Sequence, residues 1–215
     1  IEYDKYKEYN KAEIIKHPNN IKGLAAKREW IYKKFGDVFM LDDDIITIER
    51  CHLNQTSRSY LTPQEAEDRI NWLYSLAKQT GIFLFGFNDS PNPKHYKTFK
   101  PLMLKGYINA AAMGIIKNKN LHFTTKTTAA ESHWINLLNA YHNRKTLIDK
   151  RYHFRQKPDS TFYEDGGQAF NRTKETEKKD TLYLRRIFGE SVQIKKGNSD
   201  AKTQHQYQRT IKIPL

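Results

Sequence analysis

The chain has 215 residues, enough for one sizeable domain with its own core, and it is 38% hydrophobic and 28% charged. Its 37 Lys and Arg against 24 Asp and Glu leave a formal net charge of +13, which points to an anionic partner: nucleic acid, a nucleotide or an acidic membrane surface. A single cysteine excludes an internal disulfide framework, 13% aromatic residues argue against disorder throughout, and no apolar run is long enough to cross a bilayer; the expectation is a soluble, cytoplasmic protein with no membrane partner.

Taken in order, "YDKYKEYNKAEIIKHP" reads as a short polar helix and then a strand at Glu13 to Lys16, stopped by Pro18. In "IKGLAAKREWIYKKFG", Leu24, Arg28, Ile31, Tyr32 and Phe35 recur at helical spacing, and Gly36 is a stop. Val38 to Leu41 reads as a buried strand and Ile45 to Ile48 as a short one, giving a strand–helix–strand rhythm. "TPQEAEDRINWLYSLAKQTG" carries Thr62 as cap, Pro63 in the first turn, Glu65 as the capping-box acid and Gly81 at the end. "IFLFGF" is a buried strand, and "NDSPNPKHYKTFKP" a loop long enough to suggest function. Strands follow in "GYINAAAMGII" and "NLHF". An amphipathic helix through Trp134, Leu137, Leu138 and Tyr141 comes next, and then a strand in "TLIDKRYHF". Beyond Gln156 the chain is polar, with a helix around Asp180 to Phe188 and strands at Val192 to Lys195 and Arg209 to Ile213. The sum is one α/β domain over 1–215, with a mostly parallel central sheet, flanking helices and a less regular, basic C-terminal third.

Asp42, Asp43 and Asp44 stand side by side between apolar strands. Adjacent carboxylates repel, so either water solvates them at a turn or a cation holds them. At the end of a parallel strand they would face the crevice where α/β proteins bind ligands, and hard oxygens there suit Mg²⁺ or Mn²⁺ bridged to a diphosphate. Lys27 and Arg28 open the preceding helix; alone they read as a solvated face, but their spacing to the aspartates suits a grip on nucleotide phosphates. Glu131, on the first turn of "ESHW", is either a dipole partner or a general base. His205, in "QHQYQR", is either a surface imidazole or a further metal ligand. "NPKHYKTFK", "YHNRK" and "DKRYHFRQK" interleave cations with rings, which suits phosphate contact and base stacking; Lys94, His95, Tyr96, Lys97, Arg144, Lys145, Arg151 and Arg155 are the nucleic-acid candidates.

Gly23 with Lys27 and Arg28, followed by "FGDVFMLDDDI", resembles the donor-binding half of a GT-A glycosyltransferase, the aspartates standing in place of its DxD motif. "GYINAAAMGI", "ESHWINLLNAYHNR", "LIDKRYHF", "DGG" at 165–167 with Arg172, "RRIFG" and "HQYQRTIKIP" resemble, in the same order, the phage TET-associated glycosyltransferases. The resemblance spans nearly the whole chain and rests on motif order. It implies a GT-A-like, Rossmann-type domain whose first donor-binding strand is missing from the N-terminus. It also implies transfer of a sugar from a nucleotide-sugar, with UDP the default carrier, to the hydroxyl of a 5-hydroxymethylpyrimidine in phage DNA, in the host cytoplasm. Asp42, Asp44 and His205 would then hold Mn²⁺ or Mg²⁺, and Gly23, Lys27, Arg28, Asp42, Asp43, Gly166, Gly167 and Arg172 the donor. Glu131 would be the base, with Asp149 and Asp165 as alternatives, because Ser132 stands where the family pairs a second acid. Two rival readings stay open: a metal-dependent nuclease or phosphotransferase, and a non-catalytic nucleic-acid-binding module.

Overall fold

Three residues separate β1 (Val38–Leu41) from β2 (Ile45–Arg50), yet the two strands lie at opposite edges of one sheet, in the order β1-β5-β3-β6-β2. The computed structural model describes residues 2–9, 12–53, 59–92, 94, 96–157, 173–194 and 209–212. The other strands of this sheet are β3 (Leu84–Asn88), β4 (Leu102–Met103), β5 (Ala112–Ile115) and β6 (Leu147–Gln156), with β4 pairing β6 off the main path. Four flat steps between neighbouring strands would put β1 and β2 about 19 Å apart, whereas four residues of extended chain reach at most about 14 Å. The sheet therefore curls, and residues 42–44 cross its mouth. Phe39 of β1 consequently packs against Phe87 of β3 and Phe154 of β6, at ring separations of 6.0 and 5.8 Å.

The sheet is mixed, which corrects the mostly parallel expectation. Only β3 and β6 run parallel among the described strands; β1–β5, β3–β5, β2–β6 and β4–β6 are antiparallel. No strand forms at residues 13–16, where Ile15 lies exposed without a sheet neighbour, and none forms in 120–123. The strand–helix–strand rhythm therefore fails at its first member.

Five helices are described: α1 (Glu2–Tyr9), α2 (Leu24–Phe35), α3 (Pro63–Gln79), α4 (Glu131–His142) and α5 (Lys174–Phe188). The capping box at Thr62 and Glu65 is formed, and Gly36 ends α2 at positive φ, a conformation that costs a glycine little. None of these helices is long and apolar enough to cross a membrane. Side chains alternate between two cores with the period of a strand. On one face Met40, Leu84, Met113 and Ile115 meet Tyr32 of α2, Trp134, Ile135 and Leu138 of α4, and Leu184 of α5. On the other, Phe85, Phe87, Ala112 and Phe154 meet Leu73 and Ala77 of α3. Tyr141, expected on the apolar face of α4, is 71% exposed. The two-stranded β7 (Val192–Ile194) and β8 (Arg209–Ile211) follow α5.

Gly114 of β5 lies directly beneath the Phe85 ring of its neighbour strand, and a Cβ there would stand 2.0 Å from the ring. Gly114→Ala is therefore expected to destabilise the fold by roughly 3 kcal/mol, the upper end of overpacking costs, read as a lower urea midpoint at unchanged slope.

Candidate functional site

The acidic turn is fixed at both ends by backbone. The Asp42 amide donates to the Ala111 carbonyl at 2.9 Å on the β5 side, and the Lys157 amide donates to the Asp44 carbonyl at 2.8 Å on the β6 side. Between these anchors the Ile45 amide closes the turn onto the Asp42 carbonyl at 3.4 Å. The three carboxylates do not act as one group. Asp42 accepts from Arg28 Nη2 at 2.7 Å, Asp44 accepts from Gln156 Nε2 at 3.2 and 3.1 Å, and Asp43 is exposed.

Arg28 reaches Asp42 because it sits one turn into α2 on the face that packs on the sheet; it is only 3% exposed, while Lys27 beside it faces solvent. Its Nη1 is buried without a hydrogen-bond partner. Gly23 precedes α2 at positive φ with open space around it. Glu131 opens α4 and is 9% exposed, and its Oε2 is likewise buried without a partner. Burial pushes the Asp42 carboxyl above its usual range; Arg28 opposes this, while Asp44, Glu131 and Asp43 add to it. Arg28, the acidic turn and Glu131 thus form one electrostatic neighbourhood around Asp42.

Several members of this neighbourhood were invisible in the sequence. The Tyr107 hydroxyl donates to Ser132 Oγ at 2.8 Å, and burial raises the phenol's pKa; Glu131 also raises it, against Arg209 and Arg28. Asn136, fully buried on α4, clasps the backbone of Ile108 in both directions and so holds the loop that carries Tyr107 and Ala111. Asp180 of α5 accepts from the amides of Thr128 and Ala129, at 3.0 and 2.7 Å, just before α4 begins. Arg209 of β8 donates to the Ala129 carbonyl and pairs with Glu177 at 2.6 Å. The C-terminal elements therefore fix where Glu131 starts. One signal was legible: two asparagines three apart on an apolar helix face mark buried anchors.

The remaining expected residues are dispersed. Asp149 is fully buried and held bidentately by Arg151, at 2.9 and 2.8 Å, which makes it an ion-pair partner rather than a base poised for substrate. Arg155 pairs with Glu49 at 2.9 Å. Lys94, Tyr96 and Lys97 lie on the loop after β3, whereas Arg144 and Lys145 lie before β6, at the opposite end of that strand from Gln156. His95, Asp165, Gly166, Gly167, Arg172 and His205 fall outside the described residues. Cys51 is buried, and burial raises its thiol pKa, so it is no nucleophile.

Among the described residues no group of three His, Cys, Asp or Glu side chains converges as a cation site. The residues present still suit a cation shared with a ligand. Mg²⁺ and Mn²⁺ need only one or two carboxylates when phosphate oxygens supply the rest, and the crowding of like charge around Asp42 is what such a cation would relieve. No family model, curated protein or solved structure matches the chain.

Two outcomes follow from this geometry. Because the pKa of Asp42 is raised in the fold, its ionisation opposes folding, and that contribution grows as pH rises through the folded pKa. Asp42→Asn keeps an acceptor for Arg28 and removes this burden. Its stability relative to the native chain should therefore be highest at pH 7 and fall as the pH is lowered toward 4, in parallel urea titrations. Asp180→Ala should cost about 2–3 kcal/mol in the same assay, because two amides lose a charged acceptor, and Asp180→Asn should cost less.

Proposed function

We propose that the protein is a metal-dependent glycosyltransferase that moves a sugar from a nucleotide-sugar, UDP being the default carrier, onto the hydroxyl of a 5-hydroxymethylpyrimidine in DNA. One observation carries the reading: a buried guanidinium with an unused N–H and a buried carboxylate with an unused oxygen flank the same acidic turn. The first suits a phosphate oxygen, and the second suits the proton of an attacking hydroxyl. Transfer from a diphosphate leaving group to an alcohol needs both.

In this reading Arg28 Nη1 and Lys27 hold the donor diphosphate, and Asp43, exposed at the tip of the turn, faces its ribose or sugar. Glu131 Oε2 takes the proton from the hydroxymethyl oxygen as the glycosidic bond forms and the bond to the diphosphate breaks. Ser132 and Tyr107 keep the wall beside Glu131 polar. Asp42 and Asp44 would hold Mn²⁺ or Mg²⁺, which when bound neutralises charge on the departing diphosphate. The net charge of +13 suits a DNA acceptor.

Mass spectrometry of nucleosides from hydroxymethylated DNA, after incubation with Mn²⁺ and a panel of nucleotide-sugars, tests the reading. One donor should yield a nucleoside heavier by one sugar, and Glu131→Gln should lower turnover by roughly 10²–10⁴-fold while leaving donor binding in place. Asp44→Ala or chelation should abolish transfer. Nicking of plasmid with Mn²⁺ and no donor would support a nuclease instead.

A further inference from the structure

Away from the acidic turn, five side chains from four segments form a continuous ribbon of rings and cation. The Arg151 guanidinium lies 5.0 Å from the ring centre of Trp72 on α3 and 5.5 Å from that of Tyr152. Tyr152 meets His52 edge-on at 5.9 Å, and His52 meets Tyr96 of the loop after β3 at 5.9 Å. Tyr152 is buried and anchors the ribbon, whereas Trp72 is 39% exposed and His52 lies at the surface.

A large indole at the surface forgoes part of its burial, and Arg151 is already needed to pair with Asp149. The arrangement is also stiff. Arg151 is locked by two bonds to Asp149 and by one from its own amide, and His52 Nδ1 lies 3.3 Å from the Arg151 carbonyl. Asp149 is paired with Arg151, Asp89 lies 3.5 Å from Lys150, and Asp68, one turn before Trp72, accepts from Gln64 at 3.2 Å. Lys94, Lys97 and Lys100 are exposed on the loop that carries Tyr96.

We infer that the ribbon of Trp72, Arg151, His52 and Tyr96 is a stacking platform for unpaired bases, so that the acceptor DNA is held as a single strand beside the transfer site. Rings and a guanidinium plane offer flat faces, and only an unpaired base has a free face to lay on them; in a duplex both faces are covered by neighbours. The lysines on the adjoining loop bind phosphates. β2 connects the two places, with Ile45 following the acidic turn and His52 following the strand's other end, roughly 20 Å apart along the chain direction. Several nucleotides of extended strand span that gap. The inference rests on the DNA-acceptor reading given above.

The test is a binding measurement made without any nucleotide-sugar: fluorescence anisotropy of the full chain with a short labelled oligothymidylate and with a hairpin duplex of the same length, across a salt series. The single strand should bind more tightly than the duplex. Trp72→Ala should weaken single-strand binding about tenfold at every salt concentration, and Trp72→Phe should restore most of it. Lys94→Ala or Lys97→Ala should instead flatten the salt dependence, by about 0.7 in log–log slope for each phosphate that is no longer neutralised. Equal affinity for strand and duplex, or native affinity in both Trp72→Ala and His52→Ala, would overturn the platform. That failure is separate from failure of the transferase reading, which would appear as Trp72-dependent strand binding with no sugar transferred from any donor.

Discussion

A tether of three residues between the two edges of one sheet is the constraint from which the rest follows. Asp42 to Asp44 are too short to let the sheet lie flat, so it curls until the turn can span from one edge strand to the other. This explains why the turn is polar. It crosses the ends of strands whose side chains are otherwise buried, and its own carbonyls and amides serve as the rungs that join β5 to β6. A more apolar turn would meet the same backbone demands but would leave Arg28 without a counter-charge.

Arg28 and Asp42 illustrate how weakly a buried ion pair argues for stability on its own. Desolvation outweighs the attraction sufficiently to leave the Asp42 carboxyl harder to ionise than in water, and three further carboxylates lie near it. Charges gathered under those terms contribute little to holding the fold together. The surrounding architecture is correspondingly rigid: Asn136 grips the loop under the turn, while Asp180 and Arg209 grip the chain ahead of Glu131 from the other side. Together these contacts fix the start of α4 and the loop beside it.

Much of this was legible in the chain. Helix ends at Thr62, Gly36 and Gly81 were marked by local chemistry, and apolar runs located β1, β3 and β6, because caps and burial act over a few residues. Arg28, Asp42 and Glu131 were named as candidates from the sequence; Arg28 pairs with Asp42 at 2.7 Å, and Glu131 bears on the Asp42 carboxyl through its charge. Strand direction was not legible: a short apolar run such as Val38 to Leu41 reads the same in either sense, and direction is set by distant connections. The strand expected at Glu13 to Lys16 failed for a related reason, since two isoleucines make a strand only where an edge receives them. Tyr107, Arg209 and Asp180 escaped notice because each reaches its partner across tens of residues, with no spacing to betray it.

Cys51 follows β2 inside this frame, its sulfur 3.9 Å from the Ser90 carbonyl, shielded from solvent and disinclined to ionise. As the sole thiol of the chain, it is inert to alkylating reagents while the β2 end stays closed. Its rate of modification is therefore a built-in clock for local opening at that rim, readable without any added label.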